Sequence, residues 1–318
     1  MMKHLLPALA LLWGSATLAQ DFPTKPVTLI VPNPPGGVVD TSARLLNEPL
    51  SRLLGQPVVI DNRAGGSGNV AYGTVARAKP DGYTLLISYS AYHVGNPSLT
   101  PNLPWDQKDL VPVALLTVAT NLIAVHPSVP ANNLKEFVSY LKANPGKLNY
   151  ASQGNGSLSH IGTEMFKQQT STFITHIPYR GSGPAVQDVL SGQVQIFITT
   201  PPSVMGHVQA GKLKAFAVTG NTRHPQLPNL PTTAEAGLPD FKLEAWVGLF
   251  APAGTPPAII NKLSADVKKA FEMPEVKSRA DAAGIELRYL NPEGLGKLVA
   301  NDTAYWAKII KTVGIKLD

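Results

Sequence analysis

The chain has 318 residues, 44% of them apolar, and 27 Lys plus Arg against 21 Asp plus Glu give a formal net charge of +6. The basic residues are scattered and are not interleaved with aromatics, which argues against a nucleic-acid site. There is no cysteine, so neither disulfides nor thiolate metal sites can hold the fold together.

Met1-Met2-Lys3-His4 is a short basic head, Leu5 to Trp13 is apolar, and Ser15 to Ala19 is mostly small. This pattern predicts a secretory signal peptide over 1–19, cleaved near Ala19 and too short to span a membrane. No other apolar run approaches the roughly 18 residues a span requires. The mature chain is expected to be exported, and it is long enough for two ordinary domains with full cores.

In chain order, Val27 to Val31 reads as a buried strand, 32–37 as a loop and Val38 to Leu54 as a helix. Val58 to Ile60 is the next strand, Asn69 to Ala78 the next helix and Thr84 to Ser88 the third strand. This βαβαβ start predicts a parallel sheet covered by helices. The pattern restarts at Asn121, with strands at Leu122 to Val125, Asn149 to Ala151, Phe173 to Ile177, Val194 to Ile198 and Lys214 to Val218. Helices at Asn133 to Ala143, from Ser157, at Pro184 to Leu190 and near Ser203 to Ala210 separate them. A proline-rich link, 223–231, follows. After a strand at Ala245 to Phe250 the chain reads as mainly helical: Pro257 to Phe271, Pro274 to Ala283 and Pro292 to Lys311.

Ligands of such sheets sit beyond the carboxyl ends of the strands. The loops at 32–37, 88–93 and 152–157 lie at such ends. The third is the most telling. A short strand runs into Ser152-Gln153-Gly154-Asn155-Gly156-Ser157, and a helical face of Leu158, Ile161, Met165 and Phe166 follows. Ser157 suits the N-cap, and free amides at a helix start attract anions.

Other motifs fail on context. Gly206 to Leu213 spells most of a phosphate loop, but Leu213 replaces the Ser/Thr that would hold magnesium and no strand precedes it. Gly66 to Ala71 resembles a dinucleotide fingerprint with the tight turn misplaced. The seven histidines show no metal-ligand spacing, and no Gly-x-Ser-x-Gly elbow exists. His160 can face the anion site or simply pack. Tyr89, Tyr92 and Trp246 can line a pocket or fill a core.

Six stretches together resemble one family. They are Pro34-Pro35-Gly36-Gly37-Val38-Val39-Asp40 with Ala43-Arg44; Asn62-Arg63-Ala64-Gly65-Gly66-Ser67-Gly68; Asp81-Gly82-Tyr83-Thr84-Leu85-Leu86; Gly154-Asn155-Gly156-Ser157-Leu158-Ser159-His160; Tyr179-Arg180-Gly181-Ser182-Gly183-Pro184-Ala185 with Asp188; and Leu230-Pro231-Thr232 followed by Trp246 to Pro256. In order and spacing they are similar to the Bug-type receptors, the periplasmic solute-binding components of tripartite tricarboxylate transporters.

The resemblance implies an α/β clamshell of two Rossmann-like domains joined by a two-crossing hinge, without catalysis or cofactor. The first domain would hold 20–121 and, on its return, 232–318. The second would be 122–231. By that likeness the ligand is a small organic carboxylate. Backbone and hydroxyl donors of Ser152, Gln153, Gly154, Asn155, Gly156 and Ser157 would grip it, with Pro35, Gly36, Gly37, Val38, Asp40 and Ser90 opposite. His160, Arg180, Gly181 and Thr199 would complete the wall. The partner would be a membrane permease, and the receptor a periplasmic monomer.

Departures from the family pattern bear on the ligand. Thr199 and Gln195 stand where acidic residues are frequent in the family, which points to a ligand without a cationic amine. Val38-Val39, Tyr89 and Tyr92 replace smaller or more polar residues, which points to an aromatic mono- or dicarboxylate. Two other functions share these features: a ligand sensor for a signalling receptor, and a secreted serine hydrolase using Ser157 with His160. The hydrolase lacks an orienting carboxylate in the sequence pattern.

Overall fold

A computed structural model describes residues 22–315, so the signal peptide expected at 1–19 lies outside the described residues. The first elements are β1 (Val27–Val31), α1 (Val38–Leu54), β2 (Val58–Asn62), α2 (Asn69–Ala76) and β3 (Thr84–Tyr89). One turn of π-helix, Ala91–Gly95, leads into α3 (Asn96–Leu99). The long strand β4 (Leu110–Thr120) is followed, after Asn121 alone, by β5 (Leu122–Val125). Then come α4 (Leu134–Ala143), β6 (Asn149–Ser152), α5 (Leu158–Thr170), β7 (Thr175–Pro178), α6 (Ser182–Leu190), β8 (Ile196–Thr199), α7 (Pro201–Gln209) and β9 (Lys214–Val218). The chain ends with β10 (Glu244–Pro252), α8 (Pro257–Glu272), α9 (Pro274–Ala283), β11 (Glu286–Leu290) and α10 (Pro292–Val313).

These strands form two sheets, ordered β11-β4-β10-β3-β1-β2 and β7-β6-β8-β5-β9. The parallel sheet expected from the first three strands is only half of the larger one. β1 pairs in parallel with β2 and β3, whereas β10 lies antiparallel to β3 and β4, and β11 antiparallel to β4. The smaller sheet is likewise mixed: β6 is parallel to β7 and β8, and β5 runs against β8 and β9. The reversed strands are β5 in the smaller sheet and β10 and β11 in the larger one, and of these β5 and β10 enter their sheet from the other one. A chain that arrives from the neighbouring unit comes in through the shared end and so points the opposite way.

Two strands escaped the sequence reading. β4 is a continuous apolar run, LVPVALLTVAT, buried along most of its length, so it lacks the alternation that marks a half-exposed strand. It also contains Pro112, which sits where the register with β10 shifts, and there a missing N–H is tolerated. β11 is a five-residue edge strand paired on one side only.

The crossings are tied together by buried hydrogen bonds. Asn121 N–H donates to Thr219 Oγ1 at 2.8 Å, Thr219 N–H donates to Asn121 O at 2.9 Å, and Asn121 Nδ2 donates to Leu243 O at 3.1 Å. The stretch after the proline-rich link 223–231 still pairs with the smaller sheet. Thr232 bridges Val218 in parallel, and Thr233 N–H donates to Val218 O at 2.8 Å, so this stretch extends the smaller sheet. The chain re-enters the larger sheet only at Glu244. Phe241 packs edge-on against Phe166 of α5 at 5.7 Å between ring centres, which anchors the stretch to the smaller unit.

Hydrophobic burial sets the rest. Leu158, Ile161 and Phe166 of α5 are fully buried and belong to the same core as Leu29, Leu86 and Leu249 of the larger sheet. The opposite face of the smaller sheet has its own core of Val186, Val189, Phe197, Val204 and Leu213 under α6 and α7. Burial of such side chains stabilises by about 1.5–3 kcal/mol each relative to exposure. No helix among the described residues is long and apolar enough to cross a membrane.

Candidate functional site

A cavity of about 410 Å³ lies where the carboxyl ends of β1, β2 and β3 face those of β6 and β7. Strand direction alone brings five loops to it. The loop after β1 gives Pro32, Asn33 and Pro34, and the loop after β2 gives Ala64 to Gly68. Tyr92 comes from the π-turn, Gln153, Gly154 and Asn155 follow β6, and Tyr179, Arg180 and Gly181 follow β7.

The loop after β6 is held by its own hydrogen bonds. Ser157 is the N-cap of α5 and fully buried. Its hydroxyl donates to Gly154 O at 2.6 Å and accepts His160 N–H at 3.4 Å. Gln153 N–H donates to Ser159 Oγ (2.9 Å), Gly154 N–H to Ser152 Oγ (3.2 Å), Gly156 N–H to His160 Nδ1 (3.1 Å) and Ser157 N–H to Gly154 O (3.1 Å). The Asn155 N–H has no protein partner among the described residues. The loop is therefore pre-organised, and most of its amides are occupied internally.

On the opposite wall Asp40 is a tie rather than a free carboxylate. It is 3% exposed and accepts from Gly36 N–H (3.1 Å), Arg44 Nε (2.9 Å) and Asn62 Nδ2 (3.1 Å). From the third helical position this bond reaches past the N-cap Gly37 to Gly36 and so fixes the glycine loop. Asn62 Nδ2 also donates to Asn33 O at 2.8 Å, and Asn33 Nδ2 to Tyr92 Oη at 3.2 Å. Burial pushes the Tyr92 phenol up to about 12, so it stays a neutral donor. Gly68 makes room for this ring: a Cβ there would lie 2.5 Å from Tyr92 Cδ2, and its φ of +84° also favours glycine.

Among the described residues no Asp or Glu lines the cavity, and Arg180 brings a cation to it. Arg180 is exposed and makes no ion pair or hydrogen bond among the described residues. This charge balance favours an anion.

The structure sorts the expected residues into two layers. Gln153, Gly154, Asn155, Arg180 and Gly181 line the cavity. Pro35, Gly36, Gly37, Val38, Asp40, Ser90, Ser152, Gly156, Ser157, His160 and Thr199 do not, and most of them are buried behind it. Ser90 Oγ accepts Trp246 N–H (3.2 Å), and Thr199 Oγ1 accepts from Gln153 Nε2 (3.3 Å), which also donates to Ser182 Oγ (2.7 Å). Of the residues behind the aromatic reading, Tyr92 reaches the cavity, whereas Val38, Val39 and Tyr89 are in the core. Tyr179 contributes a ring that the sequence reading did not assign. The segment 64–68 and Asn33 were also missed. The signal was present in the cluster Gly65-Gly66-Ser67-Gly68, where four consecutive residues have positive φ.

The Ser157–His160 pair is not arranged for nucleophilic attack. The serine proton is directed to Gly154 O, and the imidazole Nδ1 receives Gly156 N–H. General-base activation requires the ring nitrogen on the hydroxyl. The phosphate-loop-like run begins inside α7 and ends in the turn into β9, so no strand leads directly into it.

Comparison with known proteins agrees with this architecture. The family model described as the tripartite tricarboxylate transporter family receptor matches residues 42–315. Protein BugT of Bordetella pertussis is 36% identical over 301 residues, covering 94% of this chain and 92% of BugT. An R. palustris protein solved with adipate is 36% identical, with a TM-score of 0.90 over 93% of this chain and 99% of that one. MatC from Rhodopseudomonas palustris, solved with bound malate, is 35% identical, with a TM-score of 0.85 over 91% of this chain and all of that one (100%). A cleft at the strand ends of two mixed α/β units, and this match along nearly the whole described chain, lead to one conclusion: the chain belongs to the tripartite tricarboxylate transporter receptor family of solute-binding proteins.

Proposed function

We propose that this protein captures a small organic carboxylate in the periplasm and delivers it to the membrane permease of a tripartite tricarboxylate transporter. The carrying observation is the cavity between the two units, which holds the Arg180 cation and no acidic side chain. The hinge would divide the chain at Asn121 and again just before Glu244. Closure around the ligand would join the two surfaces that the permease reads. Ligand and shape are coupled to the extent that the closed form binds better than the open one.

The lack of an acidic residue in the wall supports a ligand without a cationic amine. Relatives solved with adipate and with malate support a dicarboxylate. The rings of Tyr92 and Tyr179, with Pro32 and Pro34, support an aromatic acid as the second reading. A thermal-shift screen of adipate, malate, citrate, benzoate, phthalate and glutamate, followed by calorimetry, separates them. A ligand at a hundredfold excess over its Kd adds about 2.7 kcal/mol of apparent stability. Selective stabilisation by glutamate would remove the amine-free reading. Stabilisation by neutral sugars and by none of the acids would remove carboxylate capture altogether.

A further inference from the structure

Behind the cavity wall two histidines stack. The rings of His160 on α5 and His176 on β7 are 4.1 Å apart between centres and 8° from parallel. Tyr150 of β6 stacks on the other face of His176 at 4.7 Å. Each imidazole is tied to the loop that lines the cavity. His160 Nδ1 accepts Gly156 N–H at 3.1 Å. His176 Nε2 is 2.6 Å from Ser152 Oγ, which in turn accepts Gly154 N–H at 3.2 Å. His160 is 8% exposed.

The surroundings keep the pair neutral. Burial lowers both, and it takes His176 to about 4 with added repulsion from His160. The charged groups acting on the rings are Glu164 and Lys167, both on α5. Glu164 is already committed to Tyr150 Oη at 2.6 Å and to Lys167 Nζ at 2.8 Å, so it gives a new imidazolium little support. Two cations 4.1 Å apart would repel strongly, so the pair can accept one proton far more easily than two.

A proton on Nδ1 of His160 would turn an acceptor into a donor. Gly156 N–H would lose its partner and, with the new N–H, would be free to meet an anion. Gly154 and Asn155 line the cavity, so this change happens one residue behind the wall. Resting on the carboxylate-receptor reading above, we propose that His160 and His176 are positioning residues that couple carboxylate capture to uptake of one proton. When neutral, the pair holds the loop amides back. When singly charged, it releases them and places a cation behind the bound carboxylate. By linkage, the anion favours the protonated pair as much as the proton favours binding.

Two measurements test this. Nitrogen NMR of the ligand-free protein reports each ring directly: His160 should carry its proton on Nε2 at pH 8, and the two rings should titrate as a coupled pair. Calorimetry at pH 6, in buffers of different ionisation enthalpy, counts protons taken up on binding the tightest of adipate, malate and benzoate. Net uptake is expected in the wild type, with Kd tightening by up to about tenfold per pH unit as the pH falls. His160→Gln keeps an acceptor for Gly156 but cannot titrate, and the steeper slope should be lost; the ligand's own titration is common to both proteins. His176→Gln serves if that variant does not fold. An Nδ1–H tautomer at His160, or equal proton uptake in the wild type and the variant, would overturn the coupling and leave the receptor reading intact. Failure of all three acids to bind would instead overturn the receptor reading and the coupling with it.

Discussion

Ser67 donates its hydroxyl to the carbonyl oxygen of Asn155 across the cleft, at 2.7 Å. It joins the loop after β2 to the loop after β6, and so links the two units at the cavity itself. Ser67 has a φ of +52°, which a non-glycine side chain rarely adopts. Asn96 Nδ2 steadies it by donating to Ser67 O at 2.9 Å. Ser67→Ala should weaken the best carboxylate by about 0.5–1.5 kcal/mol, seen mainly as faster dissociation, because the closed form loses one bond. Stopped-flow or surface plasmon measurements check it. An unchanged dissociation rate would mean that this bond plays no part in closure.

Gly181 meets Pro34 from the other side of the cavity. A Cβ at Gly181 would lie 2.9 Å from Pro34 Cγ, and its φ of +104° disfavours any side chain. Gly181→Ala should hold the clamshell ajar and reduce affinity more than about tenfold, or 1.4 kcal/mol. Small-angle scattering with saturating ligand would show a larger radius than the wild type. A variant that contracts like the wild type and binds normally would refute the close-approach argument.

The hinge prediction concerns stability. Thr219 Oγ1 accepts Asn121 N–H and donates to Leu243 O, all buried. Thr219→Val keeps the shape and strands the Asn121 N–H, while Leu243 O keeps its bond from Asn121 Nδ2. Leaving a buried donor unmet costs about 1–3 kcal/mol. Urea unfolding followed by circular dichroism should show that loss. A change under about 0.5 kcal/mol, within the scatter of ordinary surface substitutions, would count against the hinge role.

Acid should destabilise the ligand-free protein. His93 is 1% exposed, and burial lowers it from an ordinary 6.5 to about 3. The unfolded chain therefore binds a proton that the folded one refuses. Its contribution is intact above about pH 6.5 and is lost as pH falls toward 3. From pH 6.5 to 5 this amounts to about 2 kcal/mol. His176, lowered to about 4, acts in the same direction. Denaturation midpoints at pH 7.5, 6 and 5 test it, and equal stability at pH 7.5 and 5 would exclude a neutral, buried His93.

Much of the molecule could be read from local pattern. The apolar run Val27–Val31, the glycine loop after it, the capped start of α5 at Ser157 and the alternation of strand with helix follow from hydrophobic period and turn chemistry within a few residues. These features, with the spacing of the six stretches, fixed the fold class and the family.

What sequence could not supply depends on residues far apart in the chain. β4 hid because it is buried on both faces, and burial is a property of neighbours. Asp40, Ser157 and His160 carry the right chemistry for a ligand, yet tertiary packing spends their bonds on Gly36, Gly154 and Gly156. Ser67, Asn33 and Tyr179 reach the cavity because the strand ends of two sheets face one another. Local sequence sets which groups can bond. Only the approach of distant segments decides which bonds remain available to a ligand.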